Sequence, residues 1–303
     1  MTETDKWSTK SHGSKVSHGI SVTSTQNGMT VCTAKAVENL KLAERKEKMP
    51  VKKSTEGAMV TALKHGEIKL RLIGATPFYY NSMSIKAKRD LLIGASPKTV
   101  AEKREIKHNP EEEFRDSVYK KSYGKTHLYF PPAAIKQAMA TAAIETKGVA
   151  RTNAQRLLFL PQLQTEIYGK PYLKIDTVRM ANINKTPDMR TRAYLPEWCA
   201  EIDIKFVMPT LSASDVFTLL QNAGSIIGLG DFRQEKGRGA YGCFTVTGEE
   251  LPNWKDYKDD WKRITKFGME EQKYALDYPE YADEMTAELM GFLDEERARR
   301  MAA

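Results

Sequence analysis

The chain has 303 residues, 41% of them hydrophobic, and a formal net charge of +8 at neutral pH. That composition allows a buried core of one large domain or two modest ones. It excludes a fibre, and it excludes a membrane span, since no window approaches the run of about 18 apolar residues that crossing requires. The polar start MTETDKWSTKSHGSKVSHG has no secretory leader pattern, which predicts a cytoplasmic protein. Cys32, Cys199 and Cys243 are odd in number and widely spaced. They suit neither a disulfide framework nor a Cys-x-x-Cys metal site, so we read them as buried thiols and expect no metal or cofactor. Lys and Arg outnumber Asp and Glu in residues 1–60 and in the middle of the chain, whereas residues 250–303 are acidic. A basic middle suits a polyanion such as nucleic acid, and a merely solvated basic surface accounts for the charge equally well.

Residues 1–60 are rich in Ser, Thr, Lys and Gly, a composition that cannot offset the entropy of ordering, and they are expected to form a mobile tail. From Glu67, Ile68, Leu70 and Leu72 alternate with Lys69 and Arg71, the period of a half-buried strand. PPAAIKQAMATAAIETKG sets Ile135, Ala138, Met139, Ala142 and Ala143 at helical spacing, with prolines at its start and Gly148 past its end. LLFLPQLQTEIYGKPYLKIDTVRM reads as one or two strands broken by Pro161 and a Tyr-Gly-Lys-Pro turn. In WCAEIDIKFVM, Ala200, Ile202, Ile204, Phe206 and Met208 share one face of a strand and Glu201, Asp203 and Lys205 the other. TLSASDVFTLLQNAG predicts a helix capped by Ser212 and stopped at Gly224, and YGCFTVTG a final strand.

This order is β-α-β-β-α-β, which predicts an α+β, ferredoxin-like core over residues 65–250 with a free sheet face of the kind RNA-recognition domains use. Long insertions fall near 76–129 and 182–197, and segments of that length are commonly functional or unstructured. Residues 251–303 form an acidic extension with a helix bearing Met285, Leu289 and Phe292, expected to dock or to offer a handle to a protein partner.

The most informative stretch is IIGLGDFRQEKGRGAYGCFTV, with Gly228, Gly230, Gly237, Gly239 and Gly242 among Arg233, Lys236 and Arg238. It is not a dinucleotide fingerprint, because Arg233 stands where the third glycine belongs, and no G-x-x-x-x-G-K-[ST] occurs. It also leads from helix to strand, the reverse of those motifs. What remains is a backbone able to lie close to another backbone, with N–H groups and cations for phosphates. The alternative is a glycine-rich hairpin that needs positive φ.

GLGDFRQEKGRGAYGCFTV, as a helix-to-strand glycine and arginine loop, resembles the signature loop of the RAMP superfamily, whose members coat guide RNA in CRISPR effector complexes. YFPPAAIKQAMATAA is similar to that superfamily's strand-to-helix turn. The loop also looks like phage proteins of this fold group. Over residues 65–250 the resemblance implies a modified RNA-recognition fold that binds a single strand along its backbone and assembles side by side into an oligomer or filament. By that resemblance the five glycines shape the loop, Arg233, Lys236 and Arg238 contact phosphate, and Phe232 and Tyr241 are counted with them among the nucleic-acid-binding residues; Asp231 and Glu235 depart from a purely basic pattern.

TPFYYNSMSIKAKRD places Tyr79 and Tyr80 before Lys86, Lys88 and Arg89, a mixture able to stack bases and neutralise phosphates, or to pack under a basic loop. NKTPDMRTRAYLPEW resembles in position the thumb-like hairpin of RAMP subunits, with Arg190 and Arg192 as contacts. His127 stands where some RAMP relatives carry a general base, yet no catalytic constellation is present. The sequence therefore predicts a non-catalytic protein that binds single-stranded RNA or DNA. The alternatives are a histidine-dependent ribonuclease and a module that binds a defence complex.

Overall fold

The computed structural model describes residues 62–94, 106, 108–146, 148–179, 185–236 and 239–302. The tail assigned to 1–60, with Cys32, lies outside them. The strands are β1 (Lys64–Gly74), β2 (Phe78–Tyr79), β3 (Tyr119–Lys120), β4 (Leu128–Phe130), β5 (Leu158–Phe159), β6 (Thr165–Tyr168), β7 (Tyr172–Arg179), β8 (Pro187–Leu195), β9 (Cys199–Met208) and β10 (Phe244–Thr247). The helices are α1 (Ile85–Ile93), α2 (Pro110–Asp116), α3 (Pro132–Glu145), α4 (Arg151–Leu157), α5 (Ala213–Asn222), α6 (Trp254–Ile264), α7 (Met269–Asp277) and α8 (Glu284–Met301). None of them is long and apolar enough to cross a membrane.

The chain is a mixed α+β structure built on an antiparallel sheet in the order β10-β1-β9-β6-β4-β3, with β5 beside β9. The alternation read in β1 and β9 is what pairs them, Ile68 opposite Ile204 and Leu70 opposite Ile202. Leu70, Leu72, Ala200, Ile202, Ile204 and Phe206 are all buried on one face. Helix α5 contacts β1 and β10 and packs against α3. Its Ser212 cap and Asp215 form a reciprocal capping box, satisfying N–H groups at the first turn. The helix does not stop at Gly224: it widens into a π-helical turn, Ala223–Ile227, and ends at Gly228, whose φ is 74°. Gly224 serves packing instead, because a Cβ there would meet the Phe244 carbonyl of β10.

The opposite sheet face is not free, which corrects the expectation of an open basic surface. Helix α6 covers Ile73, Tyr168 and Cys199 with Ile264, Tyr257 and Trp261. Arg71 sits between the rings of Trp254 and Trp261, 4.5 and 4.7 Å from their centroids. Farther along, Lys69 pairs with Glu201 and Lys205 with Glu67, so signs alternate rather than sum. The acidic extension is thus part of the body. Gln272 of α7 is fully buried, accepts from the His127 and Leu128 N–H groups at 2.9 Å each, and donates to the Ile167 and Gly169 carbonyls. In α8 the buried residues are Thr286 and Met290, while Met285 and Phe292 are exposed. The apolar face read from spacing is rotated from the one that docks.

β7 and β8 pair antiparallel as the two arms of a hairpin, Tyr172 opposite Tyr194 and Arg179 opposite Pro187, and β2 joins it along β8. The insertion placed at 182–197 is therefore larger than expected and mostly strand; within it, 182–184 lie outside the described residues.

Candidate nucleic-acid interface

The glycine loop is held by the protein's own backbone. Leu229 N–H donates to the Gly242 carbonyl, Asp231 N–H to Tyr79, Tyr241 N–H to Phe232 and Gly242 N–H to Pro77. These groups are occupied, so the expected cradle of N–H donors for phosphate is not formed by them. Gly230, at φ 82°, lies so close to the Tyr79 carbonyl that a side chain would collide with it. Gly239 is pressed against the Phe232 backbone in the same way, and Gly228 and Gly242 combine positive φ with close contact. The close approach inferred from the glycines is real, but the neighbour is β2 and the loop itself. Gly237 and Arg238 lie outside the described residues, as does the Lys236 side chain.

Tyr79 and Tyr80 are 1% and 0% exposed and belong to the core, which corrects their reading as stacking residues. Tyr79 packs against Tyr194, Phe232 and Tyr241, and Tyr80 against Phe78 and Tyr119. Burial raises both phenols well above the ordinary tyrosine value, so both stay protonated. Lys86, Lys88 and Arg89 are exposed on α1, and Arg190 is exposed on β8.

Arg192 is 7% exposed and is gripped by two consecutive loop residues. Its Nη2 lies 2.7 Å from Asp231 Oδ2, and its guanidinium stands 4.9 Å from the Phe232 ring centroid. Phe232 reaches that position from a left-handed backbone, φ 50°, a conformation rare for a bulky residue and found mostly where function or packing enforces it. Burial lowers the Arg192 pKa against the pull of Asp231, yet a guanidinium remains charged at neutral pH. Asp231 thus has a structural explanation as the counter-ion of a buried arginine. Glu235 has another: it pairs with Arg233 at 2.7 Å, so that phosphate candidate already holds a partner.

Between α1, α2 and β8 lies a cleft of about 480 Å³, lined by Tyr80, Ser84, His108, Arg190, Arg192 and Asp231 among others. His108, unremarkable in sequence, has Nδ1 2.9 Å from Glu113 Oε1 and Nε2 3.5 Å from Asp188 Oδ1. Its five-residue spacing from Glu113 was visible; Asp188 arrives from the hairpin and was not. His127, the sequence candidate for a general base, is elsewhere. Its Nδ1–H donates to the Lys121 carbonyl at 2.8 Å, and burial depresses its pKa, so it is a neutral structural histidine.

No family model and no curated protein matches the chain. Among solved structures, the crystal structure of Cmr6 from Pyrococcus furiosus aligns with 61% of this chain and 100% of its own, at 10% identity and a TM-score of 0.33. A superposition that loose carries no functional weight, and function must be argued from the residues.

Proposed function

We propose that the chain is a non-catalytic single-stranded nucleic-acid-binding protein of RAMP-like architecture. The β10-β1-β9-β6 strand order with helices α3 and α5 is read as a ferredoxin-like core enlarged by the hairpin and by the segment after β1. One observation carries the functional reading. Three segments nominated separately by the sequence, 78–89, 190–192 and 228–241, meet at one cleft, to which they contribute Tyr80, Arg190, Arg192 and Asp231. Exposed Lys86, Lys88, Arg89 and Arg190 supply mobile cations for a phosphate backbone, and Arg192 supplies a fixed one. Side-by-side assembly along the strand belongs to the same proposal.

The test is anisotropy of a fluorescent single-stranded oligonucleotide, RNA and DNA in parallel. The combined change of Lys86, Lys88, Arg89 and Arg190 to Ala should weaken binding at least about tenfold at low salt. The unfolding midpoint should stay put, since all four are exposed. Unchanged affinity would move the site elsewhere. Labelled RNA incubated with the protein in chelator should remain intact; cleavage lost on His108→Asn would replace this reading with a nuclease.

A further inference from the structure

The chain exposes an aromatic pair on a helix whose other face is firmly docked. Tyr274 and Tyr278, one turn apart along α7, are 64% and 66% exposed, and their ring centroids stand 4.9 Å apart at an interplanar angle of 38°. Tyr281, three residues on, is 43% exposed. Between residues 269 and 283 the exposed large hydrophobics are these three tyrosines, with no large aliphatic side chain beside them. The backbone beneath the rings is fixed. Ala275 and Leu276 are buried, Arg115 of α2 donates to the Leu276 and Asp277 carbonyls at 3.1 and 3.3 Å, and the Tyr278 N–H donates to the Tyr274 carbonyl. Around Tyr281, the Leu173 N–H donates to the Glu280 carbonyl and the Ala282 N–H to the Leu173 carbonyl. Aromatic surface on a pinned backbone is ordered before a ligand arrives, which lowers the cost of binding.

Charge around the pair is not basic. Lys273 pairs with Glu270, Lys170 pairs with Glu280, and Asp277, between the two tyrosines in sequence, is exposed. The patch therefore offers ring faces rather than phosphate neutralisation. Cations lie one element away. Asp116, next to Arg115 in the chain, accepts from the Ile85 N–H and so fixes the start of α1, which carries exposed Lys86, Lys88 and Arg89. A single strand meets both surfaces, with phosphates for the cations and unpaired bases for the rings. We propose that Tyr274 and Tyr278 form a stacking platform for unpaired bases of a strand whose phosphates engage α1. Stacking uses the ring and every base has a π face, so the contact tolerates any sequence. The platform takes the role expected of Tyr79 and Tyr80, which are buried. This deepens the nucleic-acid reading and rests on it for the strand.

The experiment is anisotropy of the full chain with two labelled strands of equal length and charge, a polypyrimidine and its abasic counterpart, in RNA or DNA by whichever binds more tightly. The parent should bind the base-bearing strand about tenfold more tightly than the abasic one. Tyr274→Leu with Tyr278→Leu should remove most of that preference while abasic affinity, salt slope and the unfolding midpoint of the free protein stay unchanged, since both rings are exposed. Tyr274→Phe with Tyr278→Phe should bind as the parent does. The proposal is overturned if the parent binds both strands equally, if the leucine variant keeps the preference, or if the phenylalanine variant loses it. A leucine variant that loses stability and affinity for both strands alike also overturns it, by assigning the rings to packing. Sedimentation of the free protein tests the rival occupant: a dimer that the leucine variant loses would make the rings a contact between copies and overturn the platform. Salt-sensitive binding without base preference sinks this inference and leaves the strand-binding proposal standing; no binding of either strand sinks both.

Discussion

Charged residues within a basic loop are informative when their partners are known. Asp231 neutralises a buried guanidinium, so Asp231→Asn should destabilise the fold by about 2 kcal/mol or more in urea unfolding, even with the site empty. Glu235 only occupies a half-exposed Arg233. Glu235→Gln should therefore leave stability within about 0.5 kcal/mol and tighten oligonucleotide binding about two- to fivefold by releasing a cation; weaker binding would assign Arg233 a structural role only. A third pair predicts pH dependence. Lys121 is buried and bonds Glu166 at 2.6 Å. Burial pushes the Glu166 pKa up, but Lys121 and the Lys125 N–H outweigh it and the net shift is downward. A depressed carboxylate adds stability above its unfolded pKa, near 4.3, and loses it as pH falls through the folded value. Glu166→Gln should thus cost stability at pH 7, and the gap from the parent should close on acidification; a constant gap would contradict the pairing. Arg192 is distant from Asp231 in sequence, so Asp231 read there as a blemish in a phosphate loop; Arg233 is only two residues from Glu235, and what the sequence did not show is that the two side chains pair.

At the level of elements, periodicity located β1, β9, α3 and α5 because each buries one regular stripe. It failed where tertiary contact sets the end or the face. Gly224 looked like a stop but is a close-packing position inside a widened helix, and Phe78 and Tyr79, which fell in an expected insertion, form a strand against the hairpin. Two glycines test the distinction. Gly230→Ala, with positive φ and a carbonyl in the way, should cost at least about 2 kcal/mol and disturb the Asp231–Arg192 grip. Gly291→Ala, in the exposed interior of α8 with open space around it, should stabilise by about 0.5–1 kcal/mol in thermal unfolding.

For the whole molecule, the acidic C-terminal segment packs against the body. Its α6 aromatics close one sheet face, and Gln272 joins α7 to β4 and β6 through four hydrogen bonds. Gln272→Leu should destabilise by about 3 kcal/mol or more by orphaning buried backbone groups. With that face covered, the proposed strand-binding surface is assigned to the hairpin, α1 and the glycine loop, where Lys86, Lys88, Arg89 and Arg190 are exposed. Salt dependence of single-stranded oligonucleotide binding tests this most directly. With four exposed cations engaged, log affinity should fall against log salt with a slope of about −3, and by about as much less as cations are removed from that surface. Binding that is absent at low ionic strength, or present but indifferent to salt, would contradict it.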